Sequence, residues 1–150
     1  MRRGDREIKD RSDIDRVLHA APVCHLALCD GDRPYVVPMS YGYDGARLYF
    51  HCAAEGRKLE LIRRNPNACF EVEIGVDVTA GAAACSWGVH FQSAIGTGRL
   101  SIVADPEEKR RGLAALMAHY GGPSDGVSDD AARSVCVLRL DIDEVSGKAA

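Results

Sequence analysis

No apolar run in these 150 residues approaches the roughly 18 that a membrane-spanning helix needs. The opening MRRGDREIKD is charged and lacks the apolar core of a secretory signal. A cytoplasmic location with no membrane partner is therefore expected. Charge of one sign is not in excess either. The 19 Lys and Arg stand against 22 Asp and Glu, a net −3. The basic clusters Arg2-Arg3 and Lys109-Arg110-Arg111 sit beside acids, so nucleic acid is not an expected partner. No two of the six cysteines form a C-x-x-C pair, and the histidines share no ligand spacing, so no metal site is expected. Cys24, Cys29, Cys52, Cys69, Cys85 and Cys136 read as free thiols, buried by default. No nucleophilic triad, no paired-carboxylate pattern and no clear nicotinamide-binding glycine motif is present.

What remains is one domain's worth of chain, residues 1–150, with 46% apolar residues to build a core. Ser12 is placed as a helix N-cap, Ile14, Val17, Leu18 and Ala21 follow helical spacing, and Pro22 ends that helix. Val23–Cys29 reads as a strand and Tyr35–Tyr43 as a second, interrupted by Pro38. Asp44-Gly45 is a strong hairpin signal leading into a third strand, Arg47–Cys52. A short helix from about Glu55 to Arg64 stops at Asn65-Pro66-Asn67. Ala68–Val76 alternates as a strand with Phe70, Val72 and Ile74 on one face, and Asp77–Ala83 reads as a loop. Ala84–Val103 is too long for one simple strand, and Gly96-Thr97-Gly98 marks a bulge or bend within it. Asp105-Pro106-Glu107-Glu108 is a well-formed helix start, with Leu113, Leu116, Met117 and Tyr120 as the buried stripe. Ser124–Ala132 reads as a polar loop, Val135–Ile142 as the last strand, and Glu144–Ala150 as a fraying tail. Six to seven strands arriving as hairpins, with about three helices, predict a mainly β (α+β) antiparallel barrel with the helices outside.

The most informative stretch is LYFHCAAEGRK, Leu48–Lys58. A strand ends in His51, and Gly56-Arg57-Lys58 opens a helix. Two cations in a first helical turn oppose the macrodipole unless an anion sits there, held by free backbone N–H groups. Glycine lets the backbone approach such a ligand closely. The doublet therefore points to a phosphate.

The segments DREIKD, PYVVPMSYGYDGARLYFHCAAEGRK, RRNPNACFEVE, CSWGVHFQSAIGTGRL and DPEEKRRGLAALMAHYGG follow one another from Asp5 to about Val145. In this order and spacing the chain resembles the pyridoxamine 5′-phosphate oxidase-like flavin-binding family, and within it the nitroimidazole-resistance branch. The resemblance implies an FMN-binding split barrel, a homodimer, and flavin at the subunit interface. It implies that Val37, Pro38, Met39 and Ser40 run beside the isoalloxazine edge, that His51, Gly56, Arg57 and Lys58 form the phosphate end, and that Trp87 and Ser93 come from the partner subunit. It makes His51 the catalytic candidate. Two positions depart from the family's habit: Phe91 stands where relatives often carry Tyr, and Cys52 where they often carry Ser. Each removes a hydroxyl that could meet a ligand.

The expectation is an FMN oxidoreductase acting on small organic substrates, nitroaromatics among them. A helix-terminus phosphate site serves FAD as well as FMN. Two alternatives stay open: a flavin carrier or sensor without turnover, and a haem-binding relative with His51 or His90 as axial ligand.

Overall fold

The computed structural model describes residues 3–123, 125 and 127–150. The strands are β1 (Glu7–Ile8), β2 (Cys24–Asp30), β3 (Arg33–Met39), β4 (Tyr41–Tyr43), β5 (Arg47–Cys52), β6 (Asn67–Thr79), β7 (Gly88–Ile102) and β8 (Cys136–Ala149). The helices are α1 (Arg11–Ala20), α2 (Arg57–Arg64), α3 (Pro106–His119) and α4 (Asp129–Ser134). Neighbours in the sheet run β3-β2-β6-β7-β8-β5-β4, with β1 added to β8, and every pairing is antiparallel. This is the expected split barrel. Its seven-stranded path matches the sequence reading, and β1 is too short to carry a periodic signal.

Alternation decides which side of each strand faces in. Leu26 and Leu28 of β2, Phe70 and Val72 of β6, and Leu138 and Leu140 of β8 line the interior. Ile14, Val17 and Leu18 of α1 join the same core, as do Leu59, Leu61 and Ile62 of α2. The opposite side of the sheet stays open. Its cross-strand row Pro38–His25–Glu71–Ile95–Ser146 follows from the register. Val36 and Ile95 are exposed on this face. Among the described residues no helix is long and apolar enough to cross a membrane.

Several local expectations are corrected. The first helix starts earlier than Ser12: Asp10, with extended backbone, holds the N-cap position. Pro38 does not interrupt its strand. It stays within β3, an edge strand where a missing N–H costs little, and the break falls at Ser40 between β3 and β4. Asp77–Ala83 is not all loop, because β6 resumes after a register shift between Ile74 and Asp77 and pairs as far as Thr79. β7 is one continuous strand. The irregularity at Thr97/Gly98 lies in its partner, since Thr97 faces Glu144 and Gly98 faces Ile142, leaving Asp143 as the extra residue.

Met117 and Tyr120 are exposed and are not core; α3 rests on Gly112 and Leu116 instead. Tyr120 Oη is nonetheless engaged, donating to the Pro22 carbonyl at 2.8 Å and accepting from the Tyr41 N–H at 3.2 Å. Of the Ser124–Ala132 stretch, Ser124 and Gly126 lie outside the described residues, and Asp129 onward forms α4. The C-terminal tail does not fray: β8 continues to Ala149, and Ala150 N–H donates to the Phe91 carbonyl at 2.9 Å. Cys24 and Cys136 are buried as expected, but Cys29 and Cys85 are exposed.

Candidate functional site

The site grows from the start of α2. Gly56 is the N-cap residue, with φ 121° and ψ 167° and no side-chain cap. Non-glycine residues rarely adopt that φ. The Leu59 N–H donates to the Gly56 carbonyl at 3.0 Å, and with no side-chain cap the Arg57 and Lys58 N–H groups are left for an outside acceptor. Gly56 is exposed, and a Cβ placed there would meet nothing within 4 Å. The pressure for glycine is therefore backbone conformation and not crowding. Gly56→Ala is expected to weaken phosphate-ligand binding about tenfold by distorting this turn, while the melting temperature moves by only a few degrees. Parallel ligand titration and thermal unfolding check it.

Lys58 and Arg57 are held differently. Lys58 Nζ meets Met39 Sδ at 2.9 Å. A thioether is a weak acceptor, and among the described residues Lys58 has no ion-pair partner, so its charge is available. Arg57 lies over the Tyr35 ring, 5.0 Å from its centre, and its Nη2 donates to Asp30 Oδ2 at 2.7 Å. Asp30 Oδ1 also accepts from Arg64 Nη2 at 2.9 Å. The hydrogen bond from Arg57 holds the Asp30 carboxyl below the usual carboxylate range; partial burial opposes this and Arg64 adds to it. Met39 and Lys58 are thus in contact. Asp30, Tyr35 and Arg64 were not identified from the sequence. The basic last turn of α2 was the only hint of the third, and no local pattern announces the first two.

His51 sits near the end of β5, facing α3. Its neighbours Tyr49 and Phe50 show the alternation. Phe50 enters the barrel core, and Tyr49 packs with Val103 and Val137 and beneath Leu113 and Ala115. His51, on the Tyr49 side, lines a cavity of about 390 Å³ together with Leu113, Leu116 and Met117 of α3 and with Pro123 and Val127. Cys52, on the core side of β5, is paired in register with Cys136 of β8. Burial, then the adjoining Cys136, pushes the Cys52 thiol up to about 11, and Lys58 opposes the shift. Cys52 is consequently a neutral thiol at pH 7, a small apolar filler and not a nucleophile.

The remaining predicted residues divide by geometry. Val37 and Met39 face the barrel side of β3, whereas Pro38 is exposed on the open face and Ser40 is exposed at the β3–β4 break. Ser93 is 5% exposed, opposite Glu73 on β6 and Lys148 on β8. Trp87 is 57% exposed just before β7. It lies roughly 25 Å of strand from Ile95, the β7 member of the row containing Pro38. Within one chain Trp87 is therefore not placed beside β3.

Comparison with known proteins agrees with this architecture. The family model described as pyridoxamine 5′-phosphate oxidase matches residues 10–149. An uncharacterised protein of Rhizobium meliloti (strain 1021) is 32% identical over 65 residues, which are 43% of this chain and 42% of that protein. A crystal structure from Bacteroides thetaiotaomicron, provisionally described as a 5-nitroimidazole antibiotic resistance protein, superposes with a TM-score of 0.83. It is 34% identical, over 95% of this chain and 86% of the other. An FAD-binding protein of Mesorhizobium loti superposes with a TM-score of 0.70 at 26% identity, covering 97% of each chain. An FAD- and haem-binding protein of Mycobacterium smegmatis shares the fold with a TM-score of 0.84 at 20% identity, over 97% of this chain and 73% of that one. A split barrel of antiparallel hairpins, matched to one family model over nearly its whole length, belongs to the pyridoxamine 5′-phosphate oxidase family.

Proposed function

We propose that this chain binds a flavin nucleotide, FMN in the first place, and delivers its reducing equivalents to a small organic substrate such as a nitroaromatic. One observation carries the reading: an uncapped helix start at Gly56 that presents two adjacent cations, one of them, Lys58, without a carboxylate partner. The likeness to an FAD-binding protein and to a protein linked with 5-nitroimidazole resistance supports the class of ligand and of substrate.

A bound flavin supplies hydride and single-electron transfer, so the protein needs no strong acid or base of its own. The chain's residues bind and orient. Arg57 and Lys58 neutralise the phosphate with charge-assisted hydrogen bonds. The exposed edge of β3, Val37 to Ser40, offers backbone groups to the ring. His51, exposed at a cleft lined by Leu113, Leu116 and Met117, can donate to or accept from a substrate's polar group. Trp87 reaches a flavin only from a second copy. The exposed Val36, Ile95, Val78, Val89 and Trp87 support a homodimer built on the open face, with the flavin between subunits.

The test is spectroscopic and kinetic. Purified protein titrated with FMN should develop a perturbed flavin spectrum, and sedimentation should show a dimer. Under anaerobic conditions, the reduced holoprotein should be reoxidised by a nitro compound faster than free reduced FMN is. His51→Ala should keep the flavin and slow that reoxidation. Protein that binds no FMN ends the proposal. Tight binding without accelerated reoxidation would assign it to carriage or sensing, and a Soret band to haem.

A further inference from the structure

We propose that Asp30 is an internal counter-anion that occupies Arg57 until a phosphate displaces it. This carboxylate thereby sets the affinity of the site and favours doubly charged phosphate esters over singly charged anions. The inference rests on the nucleotide reading above and adds a specificity-determining residue to it.

Asp30 closes β2 at the hairpin into β3, opposite Arg33. Its two oxygens serve the two ends of one helix. Oδ2 accepts from Arg57, the first residue of α2, and Oδ1 accepts from Arg64, the last. The side chains differ in exposure: Asp30 is 24% exposed, Arg57 58% and Arg64 64%. The carboxylate is the sheltered member, and Arg57 is the one with room to turn towards a ligand. Tyr35 lies beneath the guanidinium, and Asp30 is bonded at Nη2 alone, so further N–H donors of Arg57 remain for a second anion.

Charge then selects the ligand. A singly charged anion offers Arg57 no more than Asp30 already does, and it must also give up its own hydration. A phosphate ester dianion brings twice the charge, and the uncapped N–H groups of the same helix start add to its hold. When Arg57 leaves, Arg64 keeps Asp30 paired, so the exchange strands no carboxylate. Arg64 therefore assists binding from outside the ligand's reach. Removing it leaves Arg57 as the carboxylate's sole guanidinium partner and tightens Asp30's hold.

The experiment compares FMN with riboflavin, which lacks the phosphate, on wild type, Asp30→Asn and Arg64→Gln at fixed ionic strength. Asp30→Asn should bind FMN about fivefold more tightly, and Arg64→Gln about threefold more weakly, with riboflavin affinity unchanged in both. A merely structural role for Asp30 would move both ligands together and would give the two substitutions the same sign. Asn keeps the shape and hydrogen-bonding reach of the turn residue, and Arg64→Gln tests the opposite direction independently. The inference falls if Asp30→Asn leaves FMN binding unchanged or weakens it while wild type binds FMN well. A wild type that binds neither flavin overturns the nucleotide reading and this inference with it. A wild type that binds both flavins equally removes the phosphate subsite from α2 and defeats the inference alone.

Discussion

Replacing Arg57 and Lys58 together by alanine is expected to reduce FMN affinity about a hundredfold and to leave thermal unfolding nearly unchanged. Hydrogen bonds to charged groups are the strong class of polar contact, and this substitution deletes the two cationic donors that the proposal assigns to the phosphate. Exposure moderates the effect, because solvent and salt screen a site on an open helix start. Riboflavin affinity should not move, since the lost interaction is with the phosphate. Folding should survive for a separate reason. Arg57's only ion-pair partner among the described residues is Asp30, and Arg64 still holds that carboxylate after the substitution. Removing cations from the first turn also relieves their conflict with the helix dipole. Titration at fixed ionic strength, alongside calorimetric unfolding, reads both halves. Undiminished FMN affinity would move the phosphate away from α2.

That prediction rests on a feature legible in the sequence, and the reason is locality. The Gly56-Arg57-Lys58 turn and the Asp44-Gly45 hairpin are encoded by neighbours. Asp44 closes its own loop, accepting at Oδ1 from the N–H groups of Ala46 and Arg47. The Asp105 cap is equally local, since its carboxylate accepts from the Glu107 and Glu108 N–H groups. The alternation of Phe70, Val72 and Ile74 gave the inward face of β6 because its register with β7 runs unbroken from Asn67 to Ile74.

What escaped is decided by partners far along the chain. Asp30 meets Arg57 and Arg64 only because β2 and α2 lie side by side. The tail pairs as a strand because β7 is long enough to present a partner to every residue up to Ala149. Met117 and Tyr120 share a helical spacing with Leu113 and Leu116. But α3 lies against β4 and β5 along a narrow line through Gly112 and Leu116, leaving Met117 on the cavity side and Tyr120 outside. Periodicity names a stripe and does not say how wide the contact is.

The narrowness of that line gives the second large effect. Gly42→Ala is expected to destabilise the protein by about 1–3 kcal/mol, since overpacking in a close contact carries that cost. Gly42 lies in β4, and a Cβ built on it would come within 2.4 Å of the Ala115 carbonyl carbon and the Leu116 nitrogen. Both are backbone atoms, so no rotamer change relieves the clash, and α3 must lift away from the sheet as a body. The lift would loosen Gly112 from the Tyr49 ring, which packs directly on the helix where glycine leaves room for it. The melting temperature should fall by roughly 3–10 °C. Alanine's better strand propensity offsets only a fraction of this. The same displacement widens the chamber beside His51, because Leu113, Leu116 and Met117 form its α3 wall. Lower thermal stability should therefore coincide with slower reoxidation of the reduced holoprotein by a nitro compound, while FMN affinity stays at the wild-type value because α2 packs chiefly on β2. Loss of FMN in Gly42→Ala would show that α3, and not the start of α2 alone, supports the nucleotide. An unchanged melting temperature would mean that α3 already stands off the sheet in solution.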